Sequence, residues 1–176
     1  MIVLPLLLVG CTEKQPADED IRSALPDPCD LVEASFLTAA FGGKETGPAR
    51  SDDSTARSCS WHVSPATSKL YPQGAIFGVL VWRGGFGDEG TPEERVKKAK
   101  DFYASNTLHR NRTCTSIQSD SYDACWSYLP TMKSFAVDLQ KGNVVVSAYI
   151  ESFVGRRLSA EAQTAQRISE ELAARI

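Results

Sequence analysis

Cysteine placement constrains this chain more than any other feature. There are five cysteines: Cys11, Cys29, Cys59, Cys114 and Cys125. Cys11 stands apart, because with Gly10 it closes Ile2 to Val9, a run that is apolar and uncharged with one proline. A helix that spans a bilayer needs ~20 apolar residues, so this run is too short to cross one. Its length and place fit a cleavable export signal, although no Lys or Arg precedes it where a basic n-region is usual. The competing reading is a buried first strand with an incidental cysteine. The change of composition after Cys11 argues against it. Thr12 to Asp20 is polar and without periodicity, so it cannot bury enough surface to offset its ordering entropy and reads as a flexible tether.

Leu8-Val9-Gly10-Cys11 resembles the bacterial lipobox, in which a signal peptidase cuts before the cysteine and a diacylglyceryl group joins its sulfur. The resemblance implies a signal peptide over 1–10, a lipidated tether over 11–28 and an extracytoplasmic domain over 29–176. The domain would sit at the outer face of the cytoplasmic membrane. One acyl chain binds only marginally, and diacylation with N-acylation supplies the further chains that stable anchoring needs.

Setting Cys11 aside leaves four cysteines, an even number that reads as two disulfides in an exported chain. Four cysteines admit three pairings, and sequence alone does not choose among them. Cys29–Cys59 with Cys114–Cys125 is favoured, because each pair falls within one half of the chain and closes a modest loop. A metal site is disfavoured: there is no C-x-x-C, and the two histidines, His62 and His109, are isolated. The net charge of −3, with acids and bases interspersed, gives no sign of a nucleic-acid partner or a polybasic membrane grip.

The rest of the chain is long enough for one domain with a real core. Asp30-Leu31-Val32-Glu33 caps a first helix that ends at Gly42-Gly43. Lys44 to Ser58 is polar and turn-rich, and Cys59-Ser60-Trp61-His62-Val63 starts a strand. Gly74 to Arg83 is apolar on both alternating faces, which predicts a strand covered on both sides. Thr91-Pro92-Glu93-Glu94 is a capping box that starts a helix running towards Ser105. Strands follow at 125–129, 133–140 and 143–151, the last two joined through Lys141-Gly142-Asn143, and Phe135, Val137 and Leu139 alternate with polar neighbours. Ser159 caps a last helix carrying Ala165, Ile168, Leu172 and Ile176. The predicted class is α+β: a single domain of mostly antiparallel twisted sheet, three packed helices and two disulfides. Trp61 and Trp126, each near a cysteine, are expected to pack on the bridges.

Asp27-Pro28-Cys29-Asp30-Leu31-Val32, a short helix to Phe41-Gly42, Cys59-Ser60-Trp61 and the Lys141–Val146 hairpin resemble small secreted actinobacterial lipoproteins of unknown function. That group is distantly similar to the extracellular sensor domains of receptor kinases. The resemblance implies a cell-envelope location with an envelope protein or lipid-like ligand, and it carries no catalytic residues.

No nucleophile elbow, phosphate loop or paired acids stand out, so neither an enzyme nor a cofactor is expected. The candidate ligand site is the glycine-rich loop with Trp82, Arg83 and Phe86, since glycines beside an aromatic and an arginine suit a binding rim. The bland alternative has Trp82 in the core and the loop as a connector. The expected function is a membrane-anchored binding or interaction module; the alternatives are a cell-wall enzyme or a purely structural surface protein.

Overall fold

A computed structural model describes residues 21–42, 45–64, 74–109, 114–129, 134–152 and 158–176. The expected signal peptide, Cys11 and the first part of the expected tether lie outside them. Three helices and one antiparallel sheet form in the order α1 (Ala34–Phe41), β1 (Glu45–Asp52), β2 (Ala56–Val63), β3 (Ala75–Trp82), α2 (Pro92–His109), β4 (Thr115–Ile117), β5 (Asp123–Leu129), β6 (Ser134–Lys141), β7 (Val144–Ser152) and α3 (Leu158–Arg175). The seven strands lie in the order β1-β2-β3-β7-β6-β5-β4, so two meanders meet where β3 pairs with β7. The class is α+β.

Residues directly opposite across antiparallel strands share a face, which lets the register sort the side chains. Trp61, Phe77, Ile150, Phe135 and Tyr128 form one row across β2, β3, β7, β6 and β5. With Val79, Val137, Leu139 and Val146 they make the main core, which α1 closes with Leu37 and Phe41 and α3 with Ala165, Ile168, Leu172 and Ile176. The Phe41 ring lies 5.4 Å from that of Phe77. Each such fully buried side chain contributes ~1.5–3 kcal/mol over its exposed state. The helices begin and end where local chemistry dictates. Gly42, at φ 64°, takes the left-handed cap of α1 and its N–H reaches the Thr38 carbonyl at 2.8 Å. In α2 the Glu94 N–H donates to Thr91 Oγ1 at 3.3 Å and Thr91 N–H to Glu94 Oε2 at 2.8 Å, the reciprocal capping box. The side chain of Ser159 lies outside the described residues.

The other face differs from what the alternation of β6 suggests. Such a pattern ordinarily leaves its polar side to water. Here α2 lies over it, and Ser127, Ser134, Asp138, Gln140 and Ser147 are all buried. Val96 and Ala99 of α2 are buried on this side, and Phe102 stacks 5.9 Å from Trp82.

Four expectations are corrected. The polar stretch 44–58 contains β1, an edge strand whose side chains are almost all exposed. A short strand, β4, forms before β5 at the opposite edge. The domain begins before Cys29: Arg22 and Leu25 are hydrogen-bonded to it and Pro28 is buried, so residues 22–28 belong to it and not to the expected tether. Trp126 does not share a face with its neighbour Cys125, because successive strand residues alternate; it packs on Phe135 at 6.3 Å. Trp61, two residues after Cys59, does share that cysteine's face.

Candidate functional site

The cysteines pair as Cys29–Cys59 and Cys114–Cys125, with Cα separations of 5.2 and 5.7 Å. The first bridge ties the segment before α1 to β2 and the second ties the approach to β4 onto β5. Each therefore fastens a segment outside the sheet to the second strand in from an edge.

Trp82, Arg83 and Phe86 are close in sequence but enter three different surroundings. Trp82 closes β3 on the α2 side, where its Nε1–H donates to Ser147 Oγ at 2.8 Å. The Ser147 hydroxyl in turn donates to Asp138. Arg83 turns to the β1–β2 hairpin, donating from Nε to the Asp53 carbonyl at 2.8 Å and pairing with Asp52. Phe86 joins the main core. The glycines between them permit close packing. A Cβ on Gly87 would stand 2.6 Å from Arg95 Cα, and one on Gly85 would stand 2.8 Å from Val145 Cγ2 and 2.9 Å from the Phe102 ring. The loop is thus wedged between α2 and β7, and the three side chains do not form one rim.

The hairpin that Arg83 holds is strongly polar. Asp53 Oδ1 accepts from the Thr55 hydroxyl at 2.6 Å and from the N–H groups of Thr55 and Ala56 at 2.7 and 2.9 Å. Those donors hold its carboxyl down at about 2. Hydrogen bonding from Arg83 likewise lowers Asp52. Beside them Arg57 reaches the Leu25 carbonyl at 3.0 Å, and Arg50 pairs with Asp27. Asp27, Pro28, Arg50, Ser51, Asp52, Arg57 and Ser58 line an open cleft of about 440 Å³ whose acids and bases balance. A second open cleft, of about 410 Å³, lies beside the Cys114–Cys125 bridge and includes Tyr103, Tyr122 and Asp123. Burial, with Asp138 and Asp123 nearby, pushes the Tyr103 phenol well above its ordinary range.

Sequence reasoning missed the clasp at the domain's root. The Asn143 amide, fully buried in the β6–β7 turn, accepts from Arg22 N–H at 2.8 Å and donates to the Arg22 carbonyl at 2.9 Å and the Gly87 carbonyl at 2.8 Å. The Arg22 guanidinium reaches the carbonyls of Arg175 and Ile176 at the end of α3. Turn, helix end and glycine loop thus converge on Arg22.

His62 is exposed on β2, and the side chain of His109 lies outside the described residues. Among the described residues, no group of three His, Cys, Asp or Glu is placed to hold a metal, and no helix is long and apolar enough to cross a membrane. The chain matches no known protein family and no curated protein.

Proposed function

We propose that this chain is a lipid-anchored interaction module of the cell envelope, held at the outer face of the cytoplasmic membrane through Cys11. Its partner is an envelope protein or a lipid-like molecule. The observation that carries this reading is the pairing of all four cysteines after Cys11. Structural disulfides belong to oxidising compartments, and their pairing leaves Cys11, at the end of its apolar run, as the cysteine for lipid.

The shape of the domain favours binding at the surface. One face of the sheet packs under α1 and α3 and α2 covers β6 and β7 on the other, while both described clefts are open and polar. They also lie at the end where Arg22 leaves the domain. Asp52 and Arg57 flank the β1–β2 turn, and Asp123 stands opposite Gln140, beside the β6–β7 turn. Contacts made there are with the membrane or with proteins close to it.

Thiol counting in the producing cell tests the reading. With a maleimide mass tag, the denatured protein takes no label before reduction and four labels after it, because the Cys11 sulfur is capped as a thioether. A fifth label after reduction would remove the lipid anchor, and labelling without reduction would remove the oxidising compartment.

A further inference from the structure

Among the described residues no strand pairs with the outer edge of β1, and its backbone phase can be read from the hairpin. The Asp53 N–H points inward to the Ala56 carbonyl at 3.0 Å. Because the phase alternates, Ala49 and Ser51 also bond inward to β2, and the backbone groups of Arg50 and Asp52 face outward. Towards the other end Pro48 offers no N–H and the register shifts between Thr46 and Ala49, so usable edge is confined to the short stretch from Ala49 to Asp52.

We propose that this edge pairs with the same edge of a second copy of the chain, antiparallel about a two-fold axis through Ser51. Arg50 of each copy then lies opposite the partner's Asp52, and the two residues exchange both backbone hydrogen bonds. Their side chains share the α1 face of the sheet and are more than half exposed, at 59% and 54%. The neighbouring in-phase registers set Arg50 against Arg50 or Asp52 against Asp52, and like charges directly opposite are destabilising. The charges and the proline that protect an edge from indiscriminate pairing therefore leave one self-complementary register. Ser51 lies towards the end of the sheet that also carries the β6–β7 turn and Arg22, so the copies meet with these ends together. The pairing belongs to the domain and stands whether or not Cys11 is lipidated.

Sedimentation equilibrium of the full chain carrying Cys11→Ser tests it. A concentration-dependent monomer–dimer equilibrium is expected, and Arg50→Glu weakens the dimer by about tenfold. Ser51 meets its own copy at a non-hydrogen-bonded position with Cα atoms ~4.5 Å apart, within disulfide reach. Ser51→Cys should therefore oxidise to a covalent dimer bridged at position 51, with both native bridges intact, faster than Lys98→Cys on the exposed side of α2. A protein that stays monomeric at all concentrations, or a Ser51→Cys dimer that forms no faster than the Lys98→Cys one, overturns the proposal.

Discussion

Asn143 holds Arg22 at both of its backbone groups, accepting its N–H at 2.8 Å and donating to its carbonyl at 2.9 Å. The same amide donates to Gly87, so one fully buried side chain fixes the turn, the loop and the segment at Arg22. Asn143→Ala leaves these backbone groups without their partner and should cost about 2–3 kcal/mol. Denaturant unfolding reads the loss, and hydrogen exchange should rise first at residues 21–25. Unchanged protection there would show that the clasp does not hold the root.

Gly87 tests whether the glycine loop is packed or free. An added Cβ meets the backbone of Arg95, which cannot rotate away, so Gly87→Ala should destabilise by about 1–3 kcal/mol. Gly90 at φ 91° instead faces the flexible end of Glu94. A Gly87→Ala protein as stable as the parent would mean that the loop can swing clear of α2, as a mobile binding rim would.

The two bridges should differ in worth. They close loops with sequence separations of 30 and 11. Chain-entropy reasoning gives ~3.7 kcal/mol for the longer and ~2.8 kcal/mol for the shorter. Cys29→Ala/Cys59→Ala should therefore lower the unfolding midpoint more than Cys114→Ala/Cys125→Ala, as calorimetry of the two double variants would record. The reverse order would locate more residual structure in the unfolded first half.

Acid should loosen the β1–β2 hairpin through Asp53. Its carboxyl is held at about 2, below the ordinary 3.8, by Thr55 and Ala56. A depressed folded value means that the stabilisation is complete above the unfolded value and is lost as pH falls through the folded one. The stability difference between parent and Asp53→Ala should be steady above about pH 5 and shrink between about pH 4 and 2. A difference that persists undiminished at the acid end would assign the effect of Asp53 to packing.

Much of the fold was legible because its signals are local. The Thr91–Glu94 capping box, the glycine stop at Gly42 and the two-faced apolar run of β3 each report a structure within a few residues. β1 was not legible, since an edge strand exposed along its length requires no apolar pattern and Pro48 argues against a strand. The burial of Asp138 and Ser147 could not be read either: their polar alternation matches a solvent face, and only the placement of α2 makes it an interior. Asn143 announced a turn but not its partner, because Arg22 is distant in sequence and no periodicity links them.

Fractionation of cells that produce the intact protein and the Cys11→Ser variant, with both membrane fractions washed in high salt, tests the proposed anchor. If acyl chains on Cys11 are the anchor, as proposed, the parent stays in the membrane fraction and the variant is released in soluble form with both disulfides made. A Cys11→Ser protein that stays with the membrane after the wash would contradict it.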